Sequence, residues 1–410
     1  MNITKMPLKG MQAIIFLIAI TLSITSCKKD KEESSSNENF ATVEGKIFNE
    51  NGTVAIPAVK VYVDVEGEVF LTTSKKDGSF SLNIPEGTHT LYMQAGDGKI
   101  FFNTTEITVE KGGTTNLGSG STILKQFSNL AYISGSFDDI ESIIIDSLGY
   151  QADQLTAQDL LNPSTLEDYA AIFLNCGLQE QLEAQMYQNL EDFVANGGSL
   201  YASDFAVEYL TGDGNMKSGS FPEHHDNHEH FNVAKTCNTQ LGGFVTDNIL
   251  CTQKQGASGI YNVDVIDPTI QTVVGANSIN VDYNLGAWEV IKNLGPEFDV
   301  LIEDATNYGP LAIQSNSSAP WASGNGSGQT IDDIEGDFVT ICHIPPGNPN
   351  NPQTITISVN ALQAHLNHGC SIGSCEGNGG KILYTTFHNH PQGNINNDTY
   401  NILQHFIMNL

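Results

Sequence analysis

The chain has 410 residues, with 47 acidic side chains against 17 basic ones and a formal charge of −30. A surface of that sign repels phosphate and has no counterions to release, which excludes nucleic acid and anionic surfaces as electrostatic partners. All 17 basic residues are lysine, so no guanidinium fork is present to grip carboxylate or phosphate, and an acidic ligand would need lysine, backbone amides or a metal.

Lys5 and Lys9 precede an apolar run, Met11 to Ile24, that ends in Ile24-Thr25-Ser26-Cys27. Its 14 residues fall short of the about 20 needed to span a bilayer, and the charged start and small-residue end are those of a signal peptide over residues 1–26. A small residue directly before Cys27 resembles the bacterial lipobox, and "CKKDKEE" resembles the surface-export signal of Bacteroidetes lipoproteins. That resemblance implies cleavage before Cys27, lipidation of its thiol, and a surface-exposed location on the outer membrane, with the membrane as partner through the lipid. Without the signal the chain carries 15 lysines against the same 47 acids, or −32. Residues 27–40, charged and serine-rich, have little to bury and are expected to form a flexible tether.

Residues 41–121 have a period of two. Val59, Val61, Val63 and Val65 alternate with Lys60, Tyr62 and Asp64, and Phe80, Leu82 and Ile84 alternate likewise. Asp77-Gly78 and Pro85-Glu86-Gly87 supply turns. Short strands with regularly spaced turns predict an all-β sandwich. Gly45, Pro57, Thr73, Asp77, Gly78, Phe80, Pro85 and Gly87 together resemble the carboxypeptidase regulatory-like domain, which implies a spacer or binding module.

Residues 125–410 alternate strand and helix, which predicts an α/β domain with a flavodoxin-like parallel sheet. "SNLAYISG" leads into the helical pattern "DDIESIIIDSLG", which stops at Gly149. "AAIFLNCG" is a second strand, and "LEAQMYQNLEDFVANGG" sets Leu182, Met186, Leu190, Phe193 and Val194 on one helical face. "SLYASDF" is a third strand, and "KILYTTFHNH" with "NDTYNILQHFIMNL" closes the domain. "LNCG", "FVANGGSLYASDF" and "ILYTTFH" resemble the class I glutamine amidotransferase-like group, and its ThuA-like branch in particular. The elbow Tyr201-Ala202-Ser203-Asp204-Phe205 departs from that group, because it holds neither the amidotransferase cysteine nor the flanking glycines of G-x-S-x-G.

Ligands of open α/β sheets bind beyond the carboxyl ends of the strands. That rule gathers Asp138, Asp139, Asn175 and Cys176 as a cleft, with Ser203, Asp204 and His388 as catalytic candidates. Ser203 and His388 can serve as nucleophile and base, with an aspartate to orient the imidazole. The alternative, preferred because the elbow lacks its glycines, is a degenerate cleft in which Ser203 and Asp204 cap the next helix. Cys176, after a buried run, reads as a packed thiol.

Two stretches fit a compact sheet poorly. "PEHHDNHEHF" carries His224, His225, His228 and His230, and Cys237 and Cys251 beyond it are expected to pair in an oxidising compartment. The second stretch, 328–380, is framed by Gly/Ser-rich sequence. Its "VTICHIPPGNPNNPQTITISVNALQAHLNHGCSIGSC" resembles a C-H-x-P-P-G-N-P…A-H-L-x-H-G module of secreted bacterial proteins. His365 and His368 share a helical face at i, i+3, while Cys342 and His343 point to opposite sides of a strand. The arrangement that uses every group is His343, His365, His368 and Cys370 around zinc, with a Cys342–Cys375 disulfide; the alternative is a disulfide knot with hydrogen-bonded histidines.

These readings predict a cell-surface lipoprotein that binds or scaffolds, with carbohydrate as the ligand class the ThuA-like resemblance implies. The rival reading is a surface hydrolase using Ser203 and His388.

Overall fold

The computed structural model describes residues 40–65, 68–177, 182–212, 237, 241–284, 286–323, 338–343, 353–358, 361, 365, 371–372, 379–389 and 396–410. The signal segment, Cys27, the tether up to residue 39, the histidine-rich stretch, and His368, Cys370 and Cys375 lie outside the described residues. The described chain is rich in strands, set in several sheets with few helices.

Eight strands come first: β1 (Phe40–Lys46), β2 (Lys60–Val65), β3 (Glu68–Thr73), β4 (Ser79–Pro85), β5 (Gly87–Gln94), β6 (Phe101–Val109), β7 (Thr114–Asn116) and β8 (Lys125–Gln126). They make one sheet in the order β4-β1-β7 and another in the order β3-β2-β5-β6-β8. The alternation is plain in β4, where Phe80, Leu82 and Ile84 are buried between exposed Ser81 and Asn83. Strand β2 departs from it: Tyr62, placed by its period on the outer face, is buried as well because its ring stacks on Tyr92 of β5 at 5.0 Å.

The next strands are β9 (Asn129–Ile133), β10 (Asp153–Leu155), β11 (Tyr169–Leu174), β12 (Ser199–Ser203), β13 (Leu250–Lys254), β14 (Gly259–Val265), β15 (Ser278–Tyr283), β16 (Glu289–Leu294), β17 (Phe298–Asp304) and β18 (Gly309–Ser315). They are followed by β19 (Phe338–His343), β20 (Gln353–Ser358), β21 (Ser371–Ile372) and β22 (Ile382–Thr385). Nine of them form one sheet, β10-β9-β11-β12-β22-β18-β17-β14-β15. The first five run parallel. The expectation of a parallel sheet does not extend to the other four, which are antiparallel. The turn between β17 and β18, from Asp304 to Gly309, is too short for the crossover of a dozen or more residues that a parallel pair needs.

Both faces of the parallel half are covered, which is why its strands read as nearly unbroken apolar runs. Ala171, Phe173, Tyr201 and Leu383 face the helix Asn397–Asn409 through Ile402, Leu403 and Phe406, and this core continues into that of the first eight strands. Ile172, Leu174, Leu200, Ala202 and Ile382 face the helix Ala184–Ala195 and Trp321. All five residues expected on that helix's apolar face are buried. Separately, β13 pairs with β16, and β20-β19-β21 form a small antiparallel sheet. Cys237 and Cys251 are joined by a disulfide. Among the described residues no helix is long and apolar enough to cross a membrane.

Candidate functional site

Strands β9, β11, β12 and β22 are neighbours and parallel, so the segments leaving their carboxyl ends converge. The approach of the first two requires glycine: a Cβ on Gly135 would lie 2.0 Å from the carbonyl oxygen of Cys176.

Asp138 collects three donors. Its Oδ1 accepts the N–H groups of Asp139 (2.7 Å) and Asn389 (3.0 Å), and its Oδ2 accepts the Ser203 hydroxyl. Ser203 Oγ in turn accepts the Cys176 N–H at 3.0 Å. Burial pushes the Asp138 carboxyl up to about 7, against the pull of these hydrogen bonds.

Asp204 stands at the sharp turn between β12 and the helical turn Asp204–Val207, with φ +45°, a left-handed conformation unusual for a residue with a side chain. Its Oδ1 accepts the Glu289 N–H at 2.7 Å, and its main-chain oxygen accepts the Tyr384 hydroxyl at 3.1 Å. Its Oδ2 accepts the Cys176 thiol at 3.6 Å and lies 3.8 Å from His388 Nε2. Burial holds the Asp204 carboxyl well above the usual carboxylate range, with the Glu289 N–H opposing. Burial, then the Asp204 charge, holds the Cys176 thiol well above its usual value.

Of the residues expected in the cleft, Asp138, Asn175, Cys176, Ser203, Asp204 and His388 come together. Asp139 contributes its main chain, donating to Asp138 and accepting the Asn389 amide at 2.6 Å. Asn175 donates to Glu141 at 2.6 Å. Two details come from the structure. The left-handed elbow position, which the sequence leaves unassigned, is taken by Asp204, and Ser203 makes no side-chain helix cap because its hydroxyl is turned to Asp138. Sequence reasoning missed Asn389, although it directly follows His388, and Glu289, which sits 85 residues from Asp204 on β16 with no local signal.

The antiparallel side adds four aromatic rings. Tyr283 stacks on Trp288 at 4.0 Å, and Tyr308 meets Trp288 edge to face at 4.6 Å. Tyr261 and Tyr308, both partly exposed, bring their hydroxyls to 3.3 Å. Tyr283 reaches the strand-end cluster through a 2.6 Å hydrogen bond with Thr386.

At the small sheet, His343 Nδ1, on the last residue of β19, lies 3.2 Å from His365 Nδ1, with the two rings nearly perpendicular. Two of the four expected ligands are therefore adjacent; His368 and Cys370 lie outside the described residues, as does Cys375, the expected partner of Cys342.

No family model matches the chain, and no curated protein matches it. Solved structures to which it is similar include a glutamine amidotransferase from Thermotoga maritima, at 11% identity and a TM-score of 0.28, covering 46% of this chain and 72% of that one. A ThuA-like protein from Bacteroides uniformis shares 12% identity at a TM-score of 0.28, covering 46% and 76%. A DUF3823 family protein from Parabacteroides merdae shares 18% identity at a TM-score of 0.18, covering 22% of this chain and 48% of that one. The architecture rests on the chain's own strand order and pairing, not on these likenesses.

Proposed function

We propose that this chain is a lipid-anchored binding or scaffold protein of the cell surface, held through Cys27, with carbohydrate as its ligand class and with a strand-end cleft that does not perform serine hydrolysis. The observation that carries the choice is the state of Ser203. A serine nucleophile has to reach a substrate carbonyl and pass its proton to a base that turns over. The Ser203 side chain is fully buried, its proton is directed at Asp138, and its oxygen is occupied by the Cys176 N–H. Cys176 offers no substitute, because a buried thiol held protonated is a poor nucleophile.

Support for the ligand class, beside the resemblance, comes from the Tyr261 and Tyr308 pair. Partly exposed phenols combine an apolar face with a hydroxyl, and a sugar ring combines an apolar C–H face with hydroxyls, so the two are complementary. The small sheet is proposed to hold zinc through His343, His365, His368 and Cys370, with a Cys342–Cys375 disulfide; the 3.2 Å approach of His343 to His365 supports it.

The test is a fluorophosphonate probe alongside a glycan-binding screen on the full chain. The expected result is no labelling of Ser203, and glycan binding that weakens at least tenfold in Tyr261→Ala/Tyr308→Ala. Stoichiometric labelling that disappears in Ser203→Ala overturns the reading in favour of a hydrolase.

A further inference from the structure

The strand-end cluster brings electron-pair donors together. Asp138, Asp204 and Glu289 are 3%, 0% and 4% exposed; the chain has no arginine, and the charge of Lys254 acts on Asp204 without offsetting its burial. Beside the cluster, Asn175 Oδ1 and Glu289 Oε2 are buried acceptor atoms with no hydrogen-bond partner among the described residues. Buried polar atoms are nearly always satisfied, and an orphan acceptor calls for a further donor or an ion. Asn175 adjoins Cys176 in the chain, and Glu289 holds Asp204 through its N–H.

We propose that Cys176 Sγ, Asp204 Oδ2 and His388 Nε2 bind one divalent transition-metal ion of zinc's class. The three atoms lie within 4.8 Å of one another. With metal–sulfur at about 2.3 Å and metal–oxygen and metal–nitrogen at about 2.0 Å, a tetrahedral shell has a sulfur–oxygen edge of about 3.5 Å and a nitrogen–oxygen edge of about 3.3 Å. The Cys176–Asp204 separation of 3.6 Å already matches its edge. The Asp204–His388 separation of 3.8 Å has to close by about 0.5 Å to match the corresponding edge, within reach of a small rotation of the imidazole.

The surroundings suit a metal ligand set. Metal-binding carboxylates are themselves held by second partners, and here the Glu289 N–H fixes Asp204 Oδ1, leaving Oδ2 to Cys176 and His388. Mixed thiolate, imidazole and carboxylate ligands suit zinc-like ions, whereas calcium and magnesium take oxygen. Three protein ligands leave one position for a water or ligand oxygen, the arrangement of an open zinc site rather than a closed structural one. Binding displaces the Cys176 thiol proton, and any proton on Asp204, to solvent as the metal–sulfur and metal–oxygen bonds form. This site is separate from the His/Cys module and does not depend on the chain being a carbohydrate binder.

The test uses cobalt(II) as probe on the full chain, stripped with chelator, in a background carrying His343→Ala, His365→Ala, His368→Ala and Cys370→Ser so that the module contributes nothing. The expected result is one cobalt per chain with thiolate-to-metal charge-transfer absorption. Cys176→Ser should abolish that absorption, and His388→Gln, a change at the rim of the cluster, should weaken binding at least a hundredfold with an unchanged circular dichroism spectrum. If Cys176→Ser misfolds, His388→Gln alone decides. No charge-transfer absorption in the background protein, absorption that persists in Cys176→Ser, or cobalt affinity unchanged in His388→Gln overturns the proposal.

Discussion

His405 gives the sharpest test of how the nine-stranded sheet is sealed. It lies on the helix Asn397–Asn409, and burial lowers its pKa from the ordinary 6.5 to about 4. The Asn409 amide lies 2.9 Å from His405 Nδ1; an NH₂ group only donates, so Nδ1 accepts, and a second proton there would break the bond. A histidine whose folded-state pKa lies below its unfolded value adds stability that is present above about pH 6.5 and is lost as pH falls toward 4, because the unfolded chain takes up the proton first. A shift of about 2.5 units corresponds to about 3 kcal/mol in full, of which about 2.5 kcal/mol is lost by pH 4.5. His405→Gln keeps an acceptor for Asn409 and removes the titration. Urea unfolding of both proteins at pH 7.5 and pH 4.5 should show the wild type losing about 2.5 kcal/mol more than the variant, since every other titrating group cancels in the difference. Stability curves that stay parallel, within about 0.5 kcal/mol, would refute the claim that this imidazole is held neutral by burial.

Three further outcomes are expected. Cys27→Ala should move the protein from the membrane fraction to the soluble one, and unchanged retention would rule out the lipid anchor. Gly135→Ala puts a methyl carbon 2.0 Å from the Cys176 carbonyl oxygen, and backbone has to move; denaturant unfolding should register a loss of about 1–3 kcal/mol, the usual cost of overpacking. His365→Ala/His368→Ala should lower the metal content of the full chain by about one ion and lower the melting temperature of the small sheet; a variant that melts like the wild type while reduction alone unfolds it would make the module a disulfide knot.

Local pattern was enough for the elements themselves. Alternation in residues 79–85 marked β4, helical periodicity marked the buried face of Ala184–Ala195, and apolar runs bounded by glycine marked β9, β11 and β12. Since ligand-facing residues of a parallel sheet follow the carboxyl ends of its strands, the same local marks also placed Asp138, Asn175, Cys176, Ser203, Asp204 and His388 in one group. Pairing was a different matter, because the energy of a strand is decided by the neighbour it bonds to, which can come from anywhere in the chain. Thus neither the antiparallel half of the sheet nor the separate β13-β16 pair, which carries Glu289 beside Asp204, had a local mark. A shift of one residue reverses which side a strand residue faces, so the sequence could not say whether Ser203 or Asp204 takes the left-handed elbow. Only the folded sheet settles that Ser203 turns to Asp138, while Asp204 meets Cys176 and His388.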